Sequence, residues 1–134
     1  MSVSDDIERL LKLRTVAMVG CSDDPRRPSN QVARYLIEVG YRVIPVNPNH
    51  AEILGEKCYP DLASIREPIE VVDVFRRSES AGEAVDQAIA AKAVGVWLQD
   101  GVRDPEAEAR ARANGLTVVA DDCIMRQHLS RMGR

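Results

Sequence analysis

The 134-residue sequence lacks the features of several large protein classes. It contains no apolar run long enough to span a bilayer, and residues 1–6 carry neither the basic nor the apolar part of a signal peptide. The net charge is −3, so the protein has no overall positive field that would favour nucleic acid. The length suits one domain with a sizeable core. We therefore expect a single cytoplasmic domain that binds neither membranes nor nucleic acids.

Cysteine and histidine are also scarce. The three cysteines, Cys21, Cys58 and Cys123, are odd in number and far apart, which predicts reduced thiols in a cytoplasm and not a disulfide framework. Their spacing relative to His50 and His128 matches no zinc-binding pattern. The sequence therefore predicts no metal site.

The glycine fingerprint of nicotinamide-dinucleotide domains is missing as well. After Gly20 it would require glycines at positions 22 and 25, where Ser22 and Pro25 stand. The acidic residue that binds a ribose diol after the second strand is absent too, because Asn47 and Pro48 occupy that place. Both absences argue against a nicotinamide dinucleotide as the ligand. We therefore keep a redox sensor linked to NAD(H) only as a weaker alternative to the functions considered below.

The sequence does contain a regular alternation of apolar strands and amphipathic helices, after a first helix within residues 1–13. This alternation predicts an α/β domain with a parallel sheet and right-handed crossovers. The long connection between residues 46 and 71 predicts a Rossmann-like, doubly wound sheet of order 3-2-1-4-5-6, in one domain over residues 1–134. The predicted strands are 15–19, 41–46, 55–59 (a very short edge strand), 70–75, 94–98 and 116–120, and the later helices are 29–39, 78–93, 105–114 and 123–132.

Local signals mark the ends of these elements. Ser4, Ser78 and Asp104 are expected as helix N-caps, and Pro105 and Gly115 mark the two ends of the helix after Asp104. Residues 60–65 are expected to form a single helical turn. Because the sheet order reverses between the first and fourth strands, the ligand crevice is expected at residues 20–22 and 75–77.

The stretch from Val16 to Asn30 is the centre of the predicted site. A buried strand ends at Gly20, and a helix begins near Pro28 after a polar loop. The first amides of a helix lack partners within it and lie at the positive end of its dipole, so this segment predicts an anion site. Arg26 and Arg27 add two cations, which points to a nucleotide with an extra phosphate unless both are solvated loop charges.

Candidate catalytic groups all have structural alternatives. Asp73 lies in a strand that should be buried, and we interpret it as an acceptor that ties this strand to the Gly20 loop more readily than as a general base. We expect His128 at the surface of the last helix, Trp97 in the core and Asp122 as the N-cap of the last helix. No nucleophile stands beside a base, so we predict no catalytic residue.

Five motifs follow one another along the chain, namely VGCSDDPRRPS (19–29), GYRVIPVNP (40–48), VVDVFRRS (71–78), VWLQDG (96–101) and VADDCIM (119–125). Together they resemble the small stand-alone CoA-binding proteins. That family is similar to the N-terminal CoA-binding domain of the succinyl-CoA synthetase alpha subunit, and the resemblance covers nearly the whole chain after the first helix. Asp122 departs from the pattern, since relatives usually carry arginine there, and so does Gln127, where glutamate is common.

The resemblance implies a Rossmann-type domain whose ligand is coenzyme A or an acyl-CoA. It places the pyrophosphate against Gly20, Cys21, Ser22, Pro28, Ser29 and Asn30, and the adenosine against Val46, Asn47 and Pro48. It assigns the floor of the crevice to Phe75 and Arg76, and the approach to the pantetheine to Gln99–Gly101. Cys123 follows the last strand at the same edge of the sheet, so it is either a thiol within reach of CoA or a small core residue.

Two further functional interpretations remain open. The first is a CoA-binding module without chemistry of its own, since the synthetase carries its phosphorylated histidine in a second domain that has no counterpart in these motifs. The second is a CoA-binding subunit, or an enzyme of acyl-CoA metabolism, that works with a separate catalytic partner or as a homo-oligomer. Turnover of a thioester by the isolated protein would favour the second.

Overall fold

The computed structural model describes residues 2–133, in which five parallel strands form one sheet of order β2-β1-β5-β6-β7. Nearly every residue of these strands is buried, because helices cover both faces of the sheet. The sheet strands are β1 (Thr15–Val19), β2 (Arg42–Val46), β5 (Val71–Val74), β6 (Gly95–Leu98) and β7 (Thr117–Val119). The helices are α1 (Val3–Leu11), α2 (Pro28–Glu38), α3 (Ser78–Ala90), α4 (Pro105–Ala113) and α5 (Ile124–Arg131).

The two faces of the sheet carry different cores. On one face, the alanines of α3 and α4 let both helices approach the strands closely, and their side chains are almost fully buried. On the other face, α1, α2 and α5 pack against Met18 and Trp97, which are completely buried. The prediction that Trp97 belongs to the core is confirmed. No helix within residues 2–133 is long and apolar enough to cross a membrane.

The predicted strand order is confirmed for five of its six positions. The exception is the segment 55–59, which forms no full strand of the sheet. Leu54 and Gly55 have positive φ angles and turn the chain into a short antiparallel hairpin of β3 (Glu52–Ile53) and β4 (Glu56–Lys57). Tyr59 alone then forms a parallel bridge to Val46. The edge beside β2 is therefore covered by a bridge and a hairpin.

Some helix N-caps differ from the predicted ones. Ser2 caps α1 in place of Ser4, because its hydroxyl accepts from the Asp5 amide at 3.1 Å. Asp104 caps α4 as predicted, at 3.1 Å from the Ala107 amide. Ser78 was expected as a cap but is the first residue of α3, and Arg77 occupies the N-cap position.

A single turn of 3₁₀ helix, Leu62–Ser64, confirms the helical turn expected between residues 60 and 65. The Asp61 carboxylate accepts from the Ser64 amide at 2.9 Å and so fixes the start of this turn. This segment lies beside the carboxyl end of β2 and contributes Pro60 and Asp61 to a groove described below.

Candidate functional site

The turn after β1 fixes the position of the candidate site. Gly20 has a φ of +84°, donates its amide to the Val46 carbonyl at 3.0 Å, and lies against the backbone of Phe75. A Cβ atom at position 20 would overlap the Phe75 carbonyl oxygen, so only glycine fits this turn. The ends of β1 and β5 therefore lie close together. From them the chain continues into α2 on one face of the sheet and into α3 on the other face.

The loop after Gly20 is held by the first turn of α2. The Ser22 amide donates to the hydroxyl of Ser29 at 2.9 Å, and the Asn30 side-chain amide donates to the Ser22 carbonyl at the same distance. The Arg34 Nε–H donates to the side-chain amide oxygen of Asn30 at 2.9 Å and fixes the orientation of that amide. Ser29 and Asn30 are both buried. Their side chains therefore shape the loop.

Helices α2 and α3 both begin with an unusual N-cap residue. The N-cap residues of α2 and α3 are Arg27 and Arg77, and neither gives a side-chain hydrogen bond to its helix. Helices usually begin with a short polar side chain that accepts from the first turn, and a cation there opposes the dipole. Both first turns are therefore left for another acceptor, and an anion is the group that such helix ends favour.

The first cleft lies between these two helix ends and has a volume of about 710 Å³. Its lining includes many of the predicted ligand residues, namely Gly20, Ser22, Arg27, Pro28, Ser29, Phe75, Arg76, Gln99, Gly101 and Cys123. It also includes Arg77 and Asp100, which lie in the segments 75–77 and 99–101 that the sequence places at the crevice. Val32 and Val102 line the cleft too, although we had not assigned them from the sequence, and nothing distinguishes Val32 from a core valine.

The second groove adjoins the first cleft and has a volume of about 370 Å³. Val46, Pro48 and Pro60 contribute apolar walls, and Asp61 and Glu83 contribute carboxylates. Arg76 lines both the first cleft and the second groove. The two spaces therefore meet at this arginine and could hold the two halves of one extended ligand.

Four predicted site residues line neither space, namely Cys21, Arg26, Asn30 and Asn47. Arg26 extends into solvent, with its side chain 88% exposed, and pairs with Asp24 at 3.0 Å. This pairing lowers the pKa of Asp24 and raises that of Arg26. The charge that the sequence offered at Arg26 is therefore largely neutralised by its neighbour.

Cys21 and Asn47 stabilise the turn after Gly20 without lining either space. The Asn47 side-chain amide donates to the Cys21 carbonyl at 2.9 Å, and its oxygen accepts from the Asn49 amide at the same distance. Cys21 is fully buried, and this burial is the main reason why its pKa is raised to about 12. Cys58 is buried as well, which raises its pKa. Neither thiol is placed to act on a ligand in the cleft.

The charge of the first cleft is positive. The side chains of Arg27, Arg76 and Arg77 form no hydrogen bond or ion pair within residues 2–133. Asp100 also lines the cleft, but its carboxylate pairs with Arg126 at 2.9 Å, which lowers the pKa of Asp100. Three arginines whose side chains form no hydrogen bond or ion pair within residues 2–133 therefore line a cleft beside two positive helix ends.

The far end of the cleft is built by the start of α5. Gln99, at the end of β6, accepts from the Ile124 amide at 3.1 Å and so takes the capping role predicted for Asp122. Asp122 instead accepts from the Cys123 amide at 2.8 Å and pairs with Arg126 at 2.9 Å. Cys123 is the N-cap residue of α5, and its partly buried side chain lines the cleft.

Two other predictions were wrong. Asp73 was expected to accept a hydrogen bond from the Gly20 loop, but neither of its carboxyl oxygens has a partner within residues 2–133. Its complete burial raises its pKa well above the usual range. His128 was expected at the surface, but it is buried with its Nδ1 atom 2.6 Å from the Tyr35 hydroxyl, and this burial lowers its pKa. Neither residue lines the first cleft.

Within residues 2–133, no group of three or more histidine, cysteine, aspartate or glutamate side chains is placed to hold a metal ion. The first cleft itself presents arginine side chains, backbone amides and one thiol. Such groups bind and orient an anionic ligand.

Comparison with known proteins identifies relatives over almost the whole chain. The uncharacterised protein YneT of Bacillus subtilis (strain 168) is 38% identical over 121 residues, which are 90% of each protein. The crystal structure of a hypothetical protein from Pyrococcus horikoshii OT3 has a TM-score of 0.93 and 42% identity, and the match covers 99% of this chain and 94% of that one.

A larger protein contains the same fold as one part. The dinucleotide forming acetyl-coenzyme A synthetase 1 of Ca. Korarchaeum cryptofilum, in its apo form, has a TM-score of 0.76 and 25% identity. The match covers 86% of this chain but only 28% of the synthetase. This likeness confirms the resemblance to the CoA-binding region of CoA synthetases. Residues 14–128 match the profile of the CoA binding domain, and the chain therefore belongs to the CoA binding domain family.

Proposed function

We propose that this protein binds coenzyme A or an acyl-CoA in the first cleft and the second groove, and holds it without transforming it. The observation that carries the proposal is the pair of arginine-capped helices whose N-termini open into one cleft. Membership of the CoA binding domain family supports the identity of the ligand.

The pyrophosphate is the part of the ligand that fits the first cleft. Its two phosphates would accept hydrogen bonds from the backbone of the Gly20–Ser22 turn and from the first turn of α2. Arg27 and Arg77 would supply charge-assisted contacts from opposite sides. The pantetheine arm would then run along the end of β6, past Gln99 and Gly101, towards Cys123.

The adenosine fits the second groove. Val46 ends the second strand and Pro48 follows it, where a Rossmann-like sheet places a nucleoside, and Pro60 adds a further apolar wall. Asn47 would act only indirectly, because its side chain braces the Cys21 and Asn49 backbone.

The engagement of the polar side chains supports a binding role without catalysis. The Ser29 hydroxyl accepts from the Ser22 amide, and the Gln99 carbonyl oxygen caps α5. Groups fixed in this way orient a ligand but are not free to move protons during a reaction. A protein of this kind would carry, buffer or sense CoA.

Two adjacent arginines provide a matched test. Arg27 lines the cleft and its side chain forms no hydrogen bond or ion pair within residues 2–133, whereas Arg26 is exposed and pairs with Asp24. By calorimetry, Arg27→Ala should weaken both CoA and dephospho-CoA by about tenfold or more, the loss of one charge-assisted contact. Arg26→Ala should bind both ligands nearly as well as the wild type. Equal losses in the two variants, or no saturable binding by the wild type, would contradict the proposal.

A CoA-binding component of a larger enzyme is the second candidate function. The observation that favours it is the likeness to one part of the Korarchaeum synthetase, of which this chain covers 28%. In this case a separate chain would supply the catalytic groups. Incubation of the isolated protein with acetyl-CoA and other short acyl-CoAs, with release of free thiol as the readout, separates simple binding from turnover. Competition with NADH in the same calorimeter tests the weaker interpretation as a redox sensor.

A further inference from the structure

One arginine lies at the boundary between the first cleft and the second groove and is free of side-chain hydrogen bonds and ion pairs within residues 2–133. Arg76 is the residue that lines both spaces, and its side chain makes no hydrogen bond or ion pair within residues 2–133. A guanidinium is a weakly hydrated cation with paired N–H donors, so at such a junction it is well placed to meet the anionic group of a ligand that passes from one space to the other.

The covalent order of CoA determines which group would lie on this ridge. The pyrophosphate is joined to the ribose, and the ribose carries both the adenine and the 3′-phosphate. If the pyrophosphate occupies the first cleft and the adenine the second groove, the ribose must cross between them. Its 3′-phosphate would therefore lie near the boundary of the two spaces, where Arg76 stands.

The acidic residues of the second groove restrict where the 3′-phosphate could lie. Asp61 and Glu83 both contribute carboxylates to the groove, and either would repel a phosphate that entered deeply. Arg76 is the one basic residue in the groove lining within residues 2–133. A phosphate on the ribose can thus be accommodated only at the Arg76 side of the groove.

The other cleft arginines occupy different places. Arg27 and Arg77 are the N-cap residues of α2 and α3, and both line the first cleft without reaching the second groove. Arg26 is paired with Asp24 and points into solvent. These positions favour, for the extra phosphate, a residue other than Arg26 and Arg27, the two that the sequence suggested.

We propose that Arg76 recognises the 3′-phosphate of the nucleotide and so makes this protein select 3′-phosphorylated CoA over ligands that lack this group. The proposal rests on the proposed function, since it assumes that the pyrophosphate and the adenosine occupy the two spaces. It assigns to Arg76 a role in specificity that is separate from the pyrophosphate contacts of Arg27 and Arg77.

The test compares two neighbouring arginines with two ligands. By calorimetry, Arg76→Met should weaken CoA by about tenfold or more, while dephospho-CoA should lose less than about threefold. Arg77→Met is the matched control and should weaken both ligands by similar factors. Arg76→Lys, which keeps the positive charge, should recover part of the preference for CoA. The thermal midpoints, followed through Trp97 fluorescence, check that the variants fold.

A second measurement removes the pantetheine arm. Adenosine 3′,5′-bisphosphate should compete with CoA on the wild type better than 5′-AMP, and this difference should disappear in Arg76→Met. Equal losses of CoA and dephospho-CoA in Arg76→Met would overturn the inference and leave the proposed function intact. A selective loss of CoA in Arg77→Met would move the phosphate to α3. A wild type that binds neither CoA nor dephospho-CoA would overturn both proposals.

Discussion

The Gly20 turn offers a direct test of how the site is built. Replacing Gly20 with alanine introduces two separate penalties. The first is the positive φ of +84°, a region that residues with a Cβ atom rarely adopt. The second is steric, because the new Cβ atom would overlap the carbonyl oxygen of Phe75. Backbone atoms cannot rotate away as a side chain would, so relief requires β1 and β5 to move apart.

Gly115 provides a control that carries only the first penalty. Its φ is +85°, and a Cβ atom there would meet nothing within 4 Å. We expect Gly115→Ala to lower the free energy of unfolding by about 1–2 kcal/mol, the cost of a left-handed residue with a side chain. Overpacking adds about 1–3 kcal/mol, so Gly20→Ala should cost about 2–5 kcal/mol in total.

Urea unfolding, followed by the fluorescence of the single buried tryptophan, measures both variants. The difference between them isolates the overlap with Phe75. The strands at this point are joined by the hydrogen bond from the Phe75 amide to the Val19 carbonyl at 2.9 Å, which must lengthen if the strands separate. If Gly20→Ala is no less stable than Gly115→Ala, the close approach of the turn to β5 is not a constraint, and the argument for glycine at this position fails.

Two further predictions concern buried and reactive groups. Asp73→Leu should raise the free energy of unfolding at neutral pH by about 1–3 kcal/mol, because it removes an unpartnered buried carboxyl. Burial raises the pKa of Asp73 in the folded state, so the contribution of this group to stability is most favourable below its unfolded pKa and is lost as pH rises towards the folded pKa. The gain in urea midpoint of Asp73→Leu over the wild type should therefore grow with pH across this range, and a destabilised variant would contradict the argument. With CoA disulfide, the Cys123 thiolate should attack one sulfur, form a mixed disulfide and release one CoA thiol, because Cys21 and Cys58 are buried with raised pKa values. Peptide mapping would show the adduct on Cys123, and undiminished labelling of Cys123→Ser would refute this assignment.

The sequence predicted most of the fold because its signals are local. Val, Ile and Ala cluster in short runs between helical patterns, and such runs become buried parallel strands. β1 has the predicted bounds, and Asp104, Pro105 and Gly115 mark the ends of α4 as expected. The segment 55–59 was misassigned because its pairing depends on the turn at Leu54 and Gly55. A positive φ at Leu54 has no clear sequence signal, since leucine rarely adopts it.

The site was less predictable than the fold, because ion pairs depend on side chains that are distant in sequence. The sequence could not show that Arg126 would pair with Asp100, 26 residues away, and leave the cleft positive. Arg26 and Arg27 also had equal weight in the sequence, although in the structure Arg26 is an ion-paired surface residue and Arg27 lines the cleft. His128 was placed at the surface because one polar residue on a short helix gives no sign of a buried partner such as Tyr35.

The distribution of charge also links stability to ligand binding. The chain has a net charge of −3, yet three arginines whose side chains form no hydrogen bond or ion pair within residues 2–133 line one cleft beside two positive helix ends. Like charges gathered in one cleft disfavour the folded state, and salt screens such repulsion only over distances beyond roughly 8–10 Å. Under the proposed function, a phosphate ligand would offset this repulsion only in the folded protein, so its binding would stabilise the fold by mass action. The charges that lower the stability of the protein would thus be the same ones that bind the anion.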